Sequence, residues 1–236
     1  MAHARKPRGH ATFFGRFEGR PQKAVSALGG AALLLLLYAL AGVGGNPGRA
    51  EEKSKTKLLF LVARPSIQDP FFEKSVILML PIEGEPWIVG LIVNKPTRLP
   101  LLKLFPESPA LKNSTENAYL GGPVDMASGA LIFHAPQPPK QAMLLYDDVY
   151  LSFDADVISE RFQDPKPAGD MRLFLGRSQW APAQLQMETL QGSWYSLRAG
   201  GEVIFERDSE HLWKRLHDRA QPPTRADNWT PQTPRT

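Results

Sequence analysis

The sequence predicts a single α+β domain: a mixed, largely antiparallel twisted sheet flanked by short helices. Three observations predict it. Short apolar runs rich in Val, Ile, Leu and Phe recur between Gly, Pro, Asp and Asn turn signals. Helical stretches with a start signal are few, and they begin at Asp154, Pro182 and Asp208. The strand runs outnumber the helical ones and do not alternate strictly with them, which argues against a doubly wound parallel sheet.

The elements follow in order. LLFLVA (58–63) is the first strand, SVILML (75–80) the second and WIVGLIV (87–93) the third, the last two joined through the turn-rich PIEGEP. Residues 99–105 form a short amphipathic helix stopped by Pro106. AYL (118–120), a GGPVD turn and GALIFH (129–134) come next, and QAMLLYDDVYL suggests a strand pair or a bent strand. Asp154 caps a helix running to Phe162, and MRLFLG (171–176) is a strand. PAQLQMETL is a helix with Pro182 in its first turn, and WYSL and EVIFE are short strands. Asp208 caps the last helix, SEHLWKRLHDRA, and the Pro-rich residues 221–236 form a tail expected to be disordered.

Charge is distributed unevenly. The chain of 236 residues carries a formal net charge of +4. Residues 1–23 hold six Lys/Arg against Glu18, whereas residues 58–220 hold sixteen Lys/Arg against twenty Asp/Glu. The folded part is therefore acidic, which argues against nucleic acid as a partner. The absence of cysteine excludes disulfides, thiolate catalysis and cysteine metal ligands.

From Ala24 to Gly48 no residue is charged, and the centre of this run is AALLLLLYALAG. Its length suffices to cross a bilayer as a helix. The basic region 1–23 before it orients the chain with the domain outside the cytoplasm. Two processing outcomes fit. Residues 24–45 are an uncleaved signal anchor, or Ala39-Leu40-Ala41 is a peptidase site and the mature chain starts at Gly42 after Ala41. Residues 46–57 are a polar linker. The expected locations are accordingly the inner membrane, through residues 24–45, or the periplasm.

The residues that could carry chemistry do not assemble into a catalytic set. Ser75, Ser128 and Ser178 are available as nucleophiles, but no G-x-S-x-G elbow is present. His134 at a strand end fits a hydrogen-bonded structural residue better than a base. Gly121-Gly122-Pro123 lacks the spacing of a phosphate loop, and a turn demanding positive φ explains it better. Asn94-Lys95-Pro96 has the same character, a turn leaving a strand. Trp180 begins a helix beside a strand end, and core packing explains it better than ligand stacking. No metal or cofactor motif is found.

The densest stretch is RPSIQDPFFEKSV (64–76). Pro65 and Pro70 stiffen it, Asp69 and Ser66 can cap its amides, and Phe71 and Phe72 can bury one ring each way. A structured crossover between strands explains it better than a ligand-facing loop using Asp69, Lys74 and Ser75.

Read in order, LFLVARPSIQDPFFEKSVI, GLIVNKP (90–96), LGGPV (120–124), the strand ending at His134, LGRSQW (175–180) and AQLQME (183–188) resemble the motif series of the YqgE/AlgH family of bacterial proteins. The resemblance spans residues 58–220. It marks Pro65, Asp69, Pro70, Phe72, Ser75, Asn94, Pro96, Gly121, Gly122, Pro123, His134, Gly176, Trp180 and Gln184 as family-motif or candidate binding positions. The chain departs from the pattern in three places. LPIEGEPWIVG lacks the usual Glu-His pair, Ala183-Gln184-Leu185-Gln186 replaces G-Q-L-E, and Gln179 replaces a glycine before the tryptophan. The N-terminal segment is a further departure. The expected function is a protein- or small-ligand-binding module tethered to or exported across the inner membrane. The alternatives are a hydrolase using His134 with a nearby Ser or acid, and transcriptional regulation, which the family name suggests and the acidic, exported domain opposes.

Overall fold

The computed structural model of the protein describes residues 57–82, 84–164 and 170–221. The uncharged segment 24–45, the linker as far as residue 56 and the tail from residue 222 lie outside the described residues. Among the described residues no helix is long and apolar enough to cross a membrane.

The strands are β1 (Leu58–Ala63), β2 (Val76–Met79), β3 (Ile88–Ile92), β4 (Pro96–Pro100), β5 (Asn117–Leu120), β6 (Val124–His134), β7 (Met143–Tyr146), β8 (Val149–Ser152), β9 (Met171–Trp180) and β10 (Trp194–Ala199). The helices are α1 (Leu101–Leu104), α2 (Ala155–Gln163), α3 (Pro182–Leu190) and α4 (Ser209–Ala220), with 3-10 turns at Pro109–Leu111 and Gly201–Phe205. The main path of the sheet runs β10-β1-β2-β3-β9-β6-β8-β7, with β4 paired to β5 and β5 to β9. Among the described residues the β5–β9 pair is the one parallel ladder, so the sheet is mixed and largely antiparallel as expected.

The sheet is curled, and the burial pattern shows how. One cluster joins Phe60, Val62, Leu78 and Leu91 of one half to Ile132, Val149, Leu151 and Phe174 of the other. Strands far apart along the path share this cluster only if the sheet bends around it. The outer face carries two separate clusters. Leu131, Phe133, Leu173 and Leu175 pack under α2 and the Phe105–Phe162 stack, and Leu59, Leu61, Ile77, Ile92 and Trp180 pack with Leu185 of α3. Leu185 is fully buried, which contributes about 2 kcal/mol to holding α3 on the sheet.

β9 links the two halves and changes face as it does so. Phe174 belongs to the inner cluster, whereas Trp180, at the same alternation, belongs to an outer one. Gly176, in the left-handed region at φ 69°, makes the switch. A side chain there would strike the carbonyl oxygen of Gly122. The structure corrects the positive-φ argument at Gly121, which has an ordinary φ. Its hydrogen is required because a Cβ would strike the Gly176 carbonyl.

Three further expectations are revised. Leu99 belongs to β4, and the helix covers only Leu101–Leu104, because Leu101 N–H donates to Glu116 O and extends the strand pairing up to that point. Trp180 ends β9, which continues four residues past Gly176. EVIFE is not a strand: Gly201–Phe205 is a 3-10 turn in which Gly201 sits against the Tyr146 ring. That turn, with Leu212 and Leu216 of α4, covers the inner cluster between the edge strands β10 and β7.

Candidate functional site

The 64–75 crossover is tied down by hydrogen bonds within it and to its neighbours. Asp69 Oδ1 accepts the amides of Phe71 (2.8 Å) and Phe72 (3.2 Å), closing the turn that Pro70 begins. Pro65 lies exposed on its surface. Lys95 Nζ reaches the Pro70 carbonyl at 2.9 Å, and burial holds its ammonium below the ordinary lysine range against the opposing pull of Glu73 and Asp69. Asn94 is a buried brace rather than a turn residue. Its Oδ1 accepts Val76 N–H at 2.8 Å and its Nδ2 donates to Lys74 O at 2.9 Å. Ser75 is completely buried, and its hydroxyl has no partner among the described residues.

Phe72 packs against Trp180 and Trp194, each with ring centroids 5.9 Å away. Glu188 of α3 accepts both indole N–H groups on Oε2, at 3.0 and 2.8 Å, and the Gln184 amide on Oε1 at 2.9 Å. Every element of this aromatic box is spoken for by another. Gly121, Gly122 and Gly176 form the backbone crossing described above, with Pro123 half-buried beside it. Ser178 Oγ donates to Gly121 O at 3.2 Å.

His134 stands apart. Its Nδ1 lies 3.0 Å from Asp148 Oδ1 and its ring stacks on Phe205 at 5.2 Å. The candidate serines are elsewhere: Ser75 and Ser178 are buried, and Ser128, six residues back along β6, donates to Asp125. The structure brings His134 to an acid and to no serine of the three.

A cleft of about 460 Å³ lies between the β4–β5 strands, the start of β9 and the segment from Phe205 to Glu210. Pro96, Asn117 and Tyr119 form one wall, Met171 and Arg172 its floor, and Phe205 with Arg207-Asp208-Ser209 the other wall. Arg172 is only 8% exposed. It faces inward like Phe174, two residues on, and its guanidinium lies 4.1 Å above the Tyr119 ring. Nη1 donates to the carbonyls of Val93 and Ile204, and Nη2 to that of Glu206 at 3.2 Å. Among the described residues no carboxylate forms an ion pair with it. Burial pulls its pKa down, while Tyr119, Glu116, Asp170 and Glu206 pull the other way; it stays a cation at neutral pH. Asp170 and Arg207 pair loosely at the rim, 3.8 Å apart.

Of the positions marked in the sequence, the cleft uses Pro96 alone. The sequence patterns do not point to Arg172, Tyr119 or Ser209. The available signal was one charged residue inside the apolar run MRLFLG, since unpaired buried arginines are rare.

The AlgH-like family model matches residues 60–225, which include the cleft and all of the curled sheet except the first two residues of β1. The chain belongs to the AlgH-like family. Among relatives of this AlgH-like chain, a UPF0301 protein of Ruegeria pomeroyi is 32% identical over 160 residues, covering 65% of this chain and 85% of the relative. One from Pseudoalteromonas translucida is 30% identical over 162 residues, covering 66% and 86%. A crystal structure of a Corynebacterium diphtheriae protein superposes with a TM-score of 0.55 at 25% identity, covering 74% of this chain and 92% of that one. The solution structure of the AlgH protein from Pseudomonas aeruginosa gives 0.55 at 21% identity, covering 79% and 100%, and shares the fold.

Proposed function

We propose that this AlgH-like domain is a small-ligand-binding module, that the cleft over Arg172 is its binding site, and that the N-terminal segment places it outside the inner membrane. The observation that carries the reading is the state of Arg172. A guanidinium removed from water is expensive unless it is paired. Three backbone carbonyls satisfy part of its donor capacity and leave its charge without a carboxylate partner. It also lines a concave cleft, the kind of place in which folded domains hold small ligands. The cleft volume falls within the range of small-molecule sites. The architectural role of Arg172, tying β3 to the 201–205 turn, is compatible with this use.

Native mass spectrometry of the full-length protein extracted from its host tests the reading. A low-mass adduct is expected on the wild type and not on Asn117→Trp, which fills the cleft wall and leaves the Arg172 bonds intact. A wild-type spectrum without any adduct, together with no melting-temperature response to a library of small polar metabolites, would falsify it.

A further inference from the structure

We infer that the cleft takes a small zwitterion of the amino-acid or dipeptide class, its carboxylate on Arg172 and its ammonium among the acids of the rim. This rests on the cleft being the binding site, as argued above. Two observations select the class. The first is the donor count at Arg172. A guanidinium has five N–H groups, and three are taken by Val93, Ile204 and Glu206 carbonyls. The Nε–H and one Nη2–H have no acceptor among the described residues, and together they form the side fork that matches the two oxygens of a carboxylate. Ser209 also lines the cleft. It is 8% exposed, its hydroxyl has no partner among the described residues, and it is the first residue of the 12-residue α4, whose N-terminus carries positive partial charge.

The second observation is the charge of the walls. Arg172 and Arg207 face Glu116, Asp170, Asp208 and Glu210 around the cleft. Asp208 is committed to capping His211 N–H, and Asp170 to Arg207. Glu116 and Glu210 form no ion pair among the described residues. A multiply charged anion would meet an excess of carboxylates, and a simple cation would meet the buried guanidinium. A molecule carrying both charges satisfies both ends. Its length is bounded by a cleft of about 460 Å³, with room for a dipeptide and not for a long peptide.

Calorimetric titration of the full-length protein with a dipeptide library, free, N-acetylated or C-amidated, tests the inference. The free library is expected to bind, and either cap is expected to weaken binding at least tenfold. Arg172→Gln should abolish binding. Glu116→Gln combined with Glu210→Gln, both away from the carbonyl network, should weaken the free dipeptides and leave the N-acetylated ones unchanged. Capped dipeptides binding as well as free ones would overturn the inference. So would silence from all three libraries on a protein that still shows a low-mass adduct; that result spares the cleft as a site and rejects the ligand class. Silence with no adduct rejects both.

Discussion

At the scale of single residues, Asn94 carries more of the structure than its place in an N-K-P turn suggests. One carboxamide satisfies Val76 N–H, the first amide of β2, and Lys74 O, whose residue sits in the left-handed region at φ 50°. Asn94→Ala strands both groups inside the fold, and unsatisfied buried groups cost on the order of 1–3 kcal/mol each. We expect a loss of about 3 kcal/mol in urea denaturation. Asn94→Asp keeps the acceptor for Val76 and should still lose stability, because a carboxylate then faces the Lys74 carbonyl. Loss of less than half a kcal/mol in both variants would mean that water replaces the amide. Polar amino acids in N-x-P sequences usually form turns, and only the long-range partner, about 20 residues away, turns this one into a brace. Arg172 presents the same lesson, since a charge in a strand signals importance but not what it touches.

At the scale of elements, helix starts were legible because their signals are local. Asp154 accepts the amides of Asp156 and Val157, Asp208 accepts that of His211, and Pro182 opens α3, all within three residues. The 201–205 segment was not, because EVIFE has strand composition and its 3-10 form is imposed by the Tyr146 ring against Gly201. β9 offers a test of the corner. Gly176 and Gly192 both have positive φ, at 69° and 74°. A methyl at Gly192 meets the flexible end of Arg64 at 2.8 Å, whereas one at Gly176 meets the Gly122 backbone. Gly192→Ala should therefore cost about 1–2 kcal/mol, the left-handed penalty alone. Gly176→Ala should cost clearly more in the same chemical denaturation, since backbone must move. Equal costs would show that β9 does not need its corner.

At the scale of the whole molecule, the curl is closed where Tyr146 at the end of β7 meets Gly201 after β10. Burial, reinforced by Glu202, Asp147 and Asp148, pushes the Tyr146 hydroxyl up to about 12. The unfolded chain releases that proton near pH 10, so the folded form holds it longer. The stabilisation is complete below about pH 10 and drains away as pH rises towards about 12. Comparing wild type with Tyr146→Phe across this window isolates the effect: the stability difference should shift against the wild type on the alkaline side, and a pH-independent difference would sink it. Fractionation with intact-mass measurement should find the protein in the membrane with residues 1–41 retained, or in the periplasm beginning at Gly42. A full-length species in the cytosol would remove the exported setting from the proposed function and leave the cleft untouched.

By itself the sequence determined the family, the fold class and nearly every element. Those follow from patterns that repeat over two to four residues and from caps that act within a turn. The curl and its contents were decided by tertiary structure. Gly176 switches the face of β9 only because Gly122 lies against it, and the cleft exists only because β3, β5, β9 and the 201–205 turn converge on one buried guanidinium. Contacts across 30 to 80 residues, such as Arg172 to Val93, leave no periodic trace in the chain, because each is a single meeting of two surfaces and not a pattern that either segment must repeat.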